Sequence, residues 1–268
     1  DSSDRSFEVL QELQKTHPIT VINMTRRFGV TPCVLAGWAH AKGDAIVYMD
    51  TDLQDPPDLL PQLVEKFRSG AEVVHTTRTH RDGESPTKMW ITKKAYQIIN
   101  FFADIQLPEN TGDYKLLSRK VVKQILELPE CDPYLRGLSI WVGYKQDFIY
   151  YRRRARFGGV THFSLFSKGP AREFIRGLTS FSATPLYISL FMGFATILIS
   201  LALIVYATAV KLLGISAPGA SGVLIAIAFF SGMVLVTNGV IGLYVARIYN
   251  EVKGRPKYII RNIVEATH

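Results

Sequence analysis

Two long uncharged runs near the C-terminal end constrain the fold of this chain more than any other feature. Leu186 to Val210 and Gly222 to Ala246 are each about 25 residues of mainly apolar side chains. At 1.5 Å per residue, a helix of that length can cross a hydrocarbon layer about 30 Å thick. A pair of buried core helices is the alternative. Neither run contains Asp, Glu, Lys, Arg or His, and we predict two transmembrane helices within residues 184–248.

Basic residues are distributed unevenly around these runs, and this predicts the orientation of the hairpin. The turn between the runs carries only Lys211. The basic residues on the outer flanks are Arg172, Arg176, Arg247, Lys253, Arg255, Lys257 and Arg261. Because cytoplasmic loops are enriched in Lys and Arg, we expect an integral membrane protein whose N-terminal domain and both termini are cytoplasmic. The lack of ionisable residues inside the spans argues against an ion-coupled transporter.

Residues 1–143 alternate strand-like and helix-like patterns, which predicts an α/β domain with a mostly parallel sheet. The strand candidates are "ITVINM", "DAIVYMD" and "AEVVHTT". The helix candidates are "FEVLQELQK", "PCVLAGWAHAKG", "PPDLLPQLVEKFRSG", "ITKKAYQIINFFAD" and "SRKVVKQILEL". In such sheets, ligands bind at the carboxyl ends of the strands.

The composition changes at residue 144. Residues 144–183 mix Arg and Lys with Phe, Tyr, Ile and Leu, which is typical of a linker that lies along a membrane surface. Arginines with aromatic residues also suit a nucleic-acid patch, but the adjacent span favours lipid, and we expect no nucleic-acid partner. Residues 249–268 form a basic tail, and the whole chain has a net charge of +8.

Two further features concern the compartment and the start of the chain. Cys33 and Cys131 lie in separate segments without zinc-ligand spacing, which favours a reduced, cytosolic domain. The opening "DSSDRSFEVLQEL" is typical of the end of a turn followed by a helix. We therefore expect a strand of the domain to lie upstream.

The segment "MDTDLQDPPDLL" follows a predicted buried strand and concentrates carboxylates at its end. Residues i and i+2 of a strand project to the same side, so Asp50 and Asp52 can present two carboxylates together. Such oxygen ligands suit Mg²⁺ or Mn²⁺, and Gln54 could add a carbonyl oxygen. A simple acidic turn is the alternative. Asp55 is a candidate N-cap of the next helix, and Asp58 fits its first turn.

Basic residues follow the next predicted strand. Arg78, Arg81 and Lys88 would suit phosphate groups, although a solvated loop has the same composition. Asp113, in "NTGDYKLLSRK", adds another carboxylate after a polar turn. It could act as a base, position an acceptor, or simply close an Asx-turn.

Several of these motifs, in this order, resemble the polyisoprenyl-phosphate glycosyltransferases of glycosyltransferase family 2. This family includes the bactoprenol glucosyltransferases and the dolichol-phosphate mannosyltransferases. The similar segments are "RRFGVTPCVLAGWAHAKGD", "GDAIVYMDTDLQDPPDLLPQLVEKFRSGAEVVHTTRTHRDGES", "TGDYKLLSRK", "RFGGVTHFSLF" and "GLYVARIYNEVKGRPKYII". The resemblance covers nearly the whole chain, and it rests on the joint occurrence of the motifs.

The resemblance implies a GT-A-type domain, a divalent metal ion, and transfer of a sugar from a nucleotide sugar to a polyprenyl phosphate with inversion. Asp50, Asp52 and Gln54 would surround the metal and the donor diphosphate, and Asp113 would take the catalytic-aspartate position. The residues expected around the acceptor phosphate are Arg78, Arg81, Lys88, Thr92 and Arg156. His162 and Thr161 depart from the family pattern near Arg156, which weakens the comparison there.

The bactoprenol-like C-terminal segment favours UDP-glucose as donor and undecaprenyl phosphate as acceptor. GDP-mannose, UDP-N-acetylhexosamine and UDP-modified arabinose remain alternative donors. A processive polysaccharide synthase is disfavoured because the chain lacks a Gln-x-x-Arg-Trp motif. Flipping of a lipid-linked sugar and a non-catalytic membrane tether that binds lipid or nucleotide are further alternatives. The two spans could also pack against copies of themselves, which leaves a homo-oligomer open.

Overall fold

A computed structural model describes residues 4–52, 54–81, 86–153, 168–214 and 220–265. Within these ranges, the side chains at positions 80, 81, 86, 88, 168–171, 220 and 221 are not described. The chain divides into two compact units. The first combines Asp1–Ser180 with Gly254–His268, and the second is Phe181–Lys253.

The first unit alternates helices and strands through most of its length. In chain order its elements are α1 (Ser6–Gln14), β1 (Val21–Met24), α2 (Val30–His40), β2 (Ala45–Tyr48), a 3-10 turn (Pro57–Leu59), α3 (Leu60–Arg68), β3 (Val73–Arg81), α4 (Pro86–Phe102), β4 (Thr111–Ser118), α5 (Arg119–Glu127), α6 (Leu135–Trp141), β5 (Gln146–Arg153) and α7 (Lys168–Ser180). After α8 (Thr184–Leu212) and α9 (Ala220–Val252), the chain adds β6 (Ile260–Val264).

Four of the described strands form the main sheet, in the order β2-β4-β3-β5. The predicted α/β domain with two long apolar C-terminal helices is confirmed, but its sheet is mixed instead of mostly parallel. Strand β4 is antiparallel to both β2 and β3, and β3 is parallel to β5. Because β4 lies between β2 and β3, its direction reverses two of the three pairings.

The sequence analysis did not predict β4 as a strand. Its sequence, TGDYKLLS, carries Asp113 and Lys115 and therefore lacks the continuous apolar pattern of a central strand. The structure nevertheless buries Lys115 and pairs Leu116 and Leu117 with Val74 and Val73 of β3. Tertiary packing thus overrides the local signal of the two charged side chains.

One cluster of the hydrophobic core lies between one face of the sheet and α3. Leu63 of α3 is completely buried, as are Val74 and Leu116 of the sheet, and Tyr114 and Tyr151 complete the cluster. The alternation along β4 places Tyr114 and Leu116 on this face. Asp113 and Lys115 consequently project to the opposite face.

Local sequence signals explain the ends of α3 and the start of α5. Proline residues precede and begin α3, and Gly70 follows it with a φ angle of 96°, a value that favours glycine. The predicted helix "PPDLLPQLVEKFRSG" is therefore confirmed, with a 3-10 turn as its first part. Ser118 caps α5 by accepting a hydrogen bond from the Val121 amide at 3.2 Å.

The observed units differ from the domain boundaries that composition predicts. Strand β5 lies in the first part of the predicted interfacial linker, yet it pairs with β3 in the sheet. Strand β6, in the predicted basic tail, pairs antiparallel with β1. Lys257 Nζ also donates to the Leu128 carbonyl at 2.6 Å, so the segment after α9 belongs structurally to the first unit.

The second unit is a pair of long apolar helices that pack against each other. The Tyr244 hydroxyl of α9 donates to the Ser182 carbonyl just before α8, at 2.8 Å. This contact joins the end of α9 to the start of α8, as in an antiparallel hairpin. Both helices are long and apolar enough to cross a membrane, and none of the residues in the most apolar stretch of either one is buried. They are therefore not core helices of this chain, and they indicate membrane association.

Replacing Leu63 with alanine should lower the free energy of unfolding by about 2–5 kcal/mol, because it opens a cavity in the core. Thermal unfolding of the full chain in detergent, followed by near-UV circular dichroism, measures the loss. Val64→Ala is the matched control, because Val64 lies next to Leu63 on α3 but is 36% exposed. Equal melting temperatures for the two variants would contradict the assignment of this core.

Candidate active site

The direction of β4 brings three predicted site residues to one edge of the sheet. Because β4 is antiparallel to β2 and β3, its first residues lie near the end of β2 and beside the middle of β3. Tyr48, the last residue of β2, pairs with Lys115. Two residues further along the same antiparallel register, Asp50 comes to lie opposite Asp113. On the other side, the Arg78 amide donates to the Asn110 carbonyl just before β4, at 3.2 Å.

Asp50 is half-buried where β2 ends, and its surroundings are mainly negative. Burial is the largest cause that raises the pKa of its carboxyl, and the charges of Asp113 and Asp52 raise the pKa further. The Tyr48 hydroxyl opposes this effect by donating a hydrogen bond to Asp50 at 3.0 Å. Asp50 therefore takes a neutral phenol as a donor while several carboxylates act on it, which is an environment that a cation would stabilise.

Asp52 lies in a turn, and one of its oxygens is already engaged there. Its Oδ1 accepts the backbone N–H of Gln54 at 3.2 Å, so the turn orients the carboxylate from within. The Gln54 side chain is half-buried.

The oxygen groups at this edge would supply only some of the ligands of a metal ion. In the part of the chain that the structure describes, no three His, Cys, Asp or Glu residues come together as a ready-made site. Asp50 and Asp52 offer hard oxygen ligands, and Mg²⁺ is commonly held by one or two carboxylates together with water and substrate phosphates. The two carboxylates, with Gln54 beside them, suit that arrangement.

Asp113 forms a two-pronged ion pair with Arg136 of α6. Arg136 Nε donates to Oδ1 at 2.8 Å, and Nη2 donates to Oδ2 at 2.5 Å. The remaining terminal nitrogen of Arg136 donates to the Tyr96 hydroxyl of α4 at 3.2 Å. Burial alone would raise the pKa of Asp113, but the charge and hydrogen bonds of Arg136, with Lys115 and Arg78, hold it well below its ordinary value. Asp113 is thus a fixed carboxylate and a weak proton acceptor.

Asp55 is the centre of a second, buried cluster. Its side chain is 1% exposed and accepts a very short hydrogen bond from the Tyr151 hydroxyl. Arg78 Nη2 lies 3.5 Å from Asp55 Oδ2, and Arg153 Nε lies 3.3 Å from Oδ1. The interpretation of Asp55 as a helix N-cap is wrong, because Pro56 occupies the cap position and no side chain caps the turn. Asp58 does lie in the first turn, as expected.

The Asp55 cluster ties the acidic loop to the strands of the sheet. Arg78 Nε donates to the Tyr151 hydroxyl at 3.1 Å, so the phenol links the arginine of β3 to Asp55. The Tyr114 hydroxyl of β4 donates to the Pro56 carbonyl at 3.2 Å. Gly112 leaves room for the guanidinium, since a Cβ at this position would lie 2.5 Å from Arg78 Nη2. The loop after β2 is thereby fixed against β3, β4 and β5.

The other residues predicted around an acceptor phosphate are described to different extents. Arg78 is 10% exposed and belongs to the Asp55 cluster. Thr92 is half-buried on α4, one turn before Tyr96, which contacts Arg136. Arg81 ends β3, and Lys88 lies in the first turn of α4, but their side chains are not described. Arg156 lies outside the described residues.

Sequence reasoning missed several residues that organise this edge. Arg136 stands alone in the apolar segment "PYLRGLSIW", and an isolated charge in such a segment indicates a buried partner. Tyr151 and Arg153 alternate along β5, but the run "YYRRR" was interpreted as a membrane-surface linker. Asp55 had no distinguishing signal, because an aspartate before two prolines is also a common helix start.

Comparison with known proteins defines the class to which this fold and site belong. The family model described as glycosyl transferase family 2 matches residues 1–126. A glycosyltransferase of Synechocystis is 38% identical over 267 residues, which cover 98% of this chain and 82% of the relative. The chain belongs to glycosyl transferase family 2.

Relatives of comparable similarity carry more specific names. The bactoprenol glucosyl transferase of Shigella phage SfII is 36% identical over 265 residues, which cover 97% of this chain and 84% of the relative. A prophage bactoprenol glucosyl transferase homologue of Escherichia coli is 35% identical over 266 residues, with 98% and 86% coverage. The similarity therefore extends through the apolar hairpin and the segment that follows it.

Replacing Asp55 with asparagine should destabilise the first unit by about 3–5 kcal/mol, because it leaves two largely buried guanidinium groups without their carboxylate. Thermal unfolding of the full chain in detergent measures the effect. Asp58→Asn, an exposed position in the 3-10 turn that follows, is the control and should lower the melting temperature much less, because it removes only an exposed charge near a helix start. A wild-type melting temperature for Asp55→Asn would refute the anchoring role of this cluster.

Proposed function

We propose that this protein transfers a sugar from a nucleotide sugar to the phosphate of a polyprenyl lipid. The observation that carries the proposal is the joint edge of the sheet, where Asp50, Asp52 and the Arg136-paired Asp113 come together in a family 2 domain joined to an apolar hairpin. The bactoprenol glucosyl transferases among the relatives support glucose as the sugar and undecaprenyl phosphate as the acceptor. UDP-glucose is the donor that fits this choice.

The carboxylates at the end of β2 would serve the donor. Asp50, Asp52 and Gln54 would hold Mg²⁺ or Mn²⁺ against the donor diphosphate, and the bound ion would neutralise the charge that develops on the leaving group. The negative surroundings of Asp50 support this assignment, because a half-buried carboxylate near other carboxylates is stabilised by a cation. The hydrogen bond from the Gln54 backbone amide would hold the Asp52 carboxylate in place as a second ligand of the ion.

The reaction would be a single displacement. An oxygen of the acceptor phosphate forms a bond to the anomeric carbon of the sugar while the bond from that carbon to the nucleoside diphosphate breaks, which inverts the configuration. The attacking phosphate needs little deprotonation, because the second pKa of a phosphate monoester is about 6. Positioning and charge stabilisation would therefore supply much of the rate.

Asp113 would orient the acceptor side of the site instead of removing a proton. Its low pKa and its two hydrogen bonds from Arg136 make it a poor base at neutral pH. Arg136 also contacts Tyr96, one turn from Thr92 on α4. The acceptor phosphate would be bound jointly by Arg78, Arg81, Lys88, Thr92 and Arg156. Of these, Arg78 would act from its place beside Asp55.

The hairpin would keep the site near the lipid headgroups. The chain segments before α8 and after α9 both belong to the first unit, which supports a hairpin that begins and ends on the same side of a membrane. By the positive-inside rule, the basic flanks favour the cytoplasm as that side. On α4, Trp90 and Phe101 expose 62% and 81% of their surface, and such aromatic residues suit the headgroup region.

Purified protein, given UDP-glucose, Mg²⁺ and undecaprenyl phosphate in detergent, should form a glucosyl lipid that chromatography and mass spectrometry detect. Asp52→Asn should lower turnover at least about 100-fold, because removal of one carboxylate weakens the metal and donor site. Asp58→Asn, exposed in the same loop, should retain wild-type turnover.

A panel of GDP-mannose, UDP-N-acetylhexosamine and UDP-modified arabinose tests the sugar. If only one of these donors supports transfer, UDP-glucose is replaced by that donor, and the proposed transfer reaction stands. No transfer from any donor would reject the reaction and favour a non-catalytic tether, and full activity of Asp52→Asn would remove the metal assignment.

Asp113→Asn should lower kcat/KM by about 100-fold or more, because the neutral amide no longer pairs with Arg136 and the acceptor side loses its fixed geometry. Asp113 is ionised throughout the neutral range, so the fold-loss should be the same at every pH below the pKa of Lys115, which is about 8. Initial rates from about pH 6 to about pH 7.5 provide the test. Recovery of activity at higher pH would favour base catalysis, whereas full activity at every pH would exclude both roles.

A further inference from the structure

Two neighbouring polar contacts join β4 to α6 behind the candidate active site. They start from β4 residues that are two positions apart. Asp113 and Lys115 project from the same face of β4, and Arg136 and Ser139 lie one turn apart on α6. The first contact is the Asp113–Arg136 ion pair. In the second, Lys115 Nζ donates to Ser139 Oγ at 2.9 Å, and Ser139 Oγ donates to the Arg136 carbonyl at 2.9 Å. Lys115 therefore reaches Arg136 through a single hydroxyl.

Lys115 has a buried ammonium group, and its neighbours among the described residues lie on β2, β3, β4 and α6. The residue is 2% exposed. Its partners in the sheet are Tyr48 of β2 and His75 of β3, and Asp113 is the nearby carboxylate on its own strand. On the side of α6 it faces Ser139 and the cation of Arg136.

These neighbours leave Lys115 as a titratable cation behind the site. Burial lowers the pKa of Lys115 to about 8, against the opposing charge of Asp113. Burial, and then the charge of Lys115, lower the pKa of His75 to about 3, so the imidazole is neutral. His75 Nε2 lies 3.0 Å from Gln146 Oε1. Burial, with the charges of Asp113 and Asp50, raises the pKa of Tyr48, so its phenol stays protonated.

Packing alone does not account for a lysine at this position. A methionine side chain of similar length would fill the space without the cost of burying a charge. The ammonium has one hydroxyl as its hydrogen-bond partner in the described part of the chain, although it can donate three bonds. Its charge therefore acts chiefly on Asp113 and on the helix that carries Arg136.

We propose that Lys115, acting through Ser139, is a positioning residue for Asp113. The Lys115–Ser139 contact fixes the register of α6 on β4, so that Arg136 meets both oxygens of the Asp113 carboxylate. Lys115 itself is buried and does not touch the substrate. The inference rests on the proposed transfer reaction for its kinetic consequence, but the geometry that it describes is independent of the sugar and of the lipid.

The positioning role makes activity depend on the charge of a group that lies behind the site. Below about pH 8 Lys115 carries its charge, and above that pH it loses the charge. Loss of the charge removes the attraction of Lys115 for Asp113 and weakens its hydrogen bond to Ser139, so the wild-type kcat should fall as the pH rises through about 8. An exposed lysine has no comparable effect, since solvent screens its charge.

Four variants of the full chain, purified in the same detergent, test the proposal. Lys115→Met removes the charge, Ser139→Ala removes the link, the third variant combines both changes, and Lys115→Arg keeps a charge that does not titrate in this range. Lys123→Met is the matched control, because Lys123 is exposed on α5. Initial rates with UDP-glucose and undecaprenyl phosphate are measured across pH, together with melting temperatures.

Lys115→Met should lower kcat about 10-fold while the KM for UDP-glucose changes less than about twofold, because the donor side is untouched. Its melting temperature should stay the same or rise. Ser139→Ala should act in the same direction, and the double variant should lose no more than the more damaging single change, because both act through one link. Lys115→Arg should lose the alkaline decline, and Lys123→Met should match the wild type.

Several results would overturn the proposal. Wild-type kcat in Lys115→Met would do so, and so would a loss of kcat that follows the folded fraction alone. Additive losses in the double variant would show that the two residues act separately.

Hydrogen–deuterium exchange provides a readout that needs no activity. Lys115→Met and Ser139→Ala should each raise amide exchange in α6, and Lys123→Met should leave it unchanged. If the wild-type chain transfers no sugar from any donor, the transfer reaction is rejected, and the exchange of α6 alone decides the positioning role. Unchanged exchange in α6 would then overturn it.

Discussion

Strand β4 runs antiparallel to both of its neighbours, and this reversal determines which residues can meet in the site. In a wholly parallel sheet, the start of β4 would lie at the opposite edge from the ends of β2 and β3. The reversal places Asp113, near the start of β4, beside the loop that carries Asp50 and Asp52. It also places Asn110 and Gly112 against Arg78 in the second half of β3. Residues about sixty positions apart thereby share one edge.

The carboxylates at this edge differ in the groups that neutralise their charge, and this difference suggests that they have different roles. Asp55 is buried with two arginines and a tyrosine, and Asp113 is held by Arg136. These two groups are fixed by the protein itself. Asp50 instead takes a hydrogen bond from the neutral Tyr48 and lies under the influence of other carboxylates. The protein thus holds Asp55 and Asp113 in place with its own cations. Asp50 keeps an uncompensated negative environment, which a cation bound to a diphosphate would complete.

Local patterns predicted the parts of this protein that depend on local chemistry. The hairpin helices follow from length and composition, α3 follows from its prolines and glycine, and Asp50 and Asp52 follow from their place after a strand. The pattern failed where tertiary structure reverses a local preference. Lys115 masked the central strand, because a buried lysine is rare and cannot be recognised without its partner Ser139. Strands β5 and β6 carry charges that are typical of surface segments, although β5 is held by β3 and β6 by β1.

The position of a bound ion relative to Asp113 would show whether the two sides of this edge have separate roles. Crystals of the full chain grown with Mn²⁺ and a nucleoside diphosphate would give an anomalous difference map at the manganese absorption edge. We expect one strong peak within coordination distance of Asp50 or Asp52, with the diphosphate bound to that ion and Asp113 still paired with Arg136 across the site. A diphosphate-bound ion away from both carboxylates would refute the division between donor and acceptor groups, and so would an Asp113 that has left Arg136 to bind the ion.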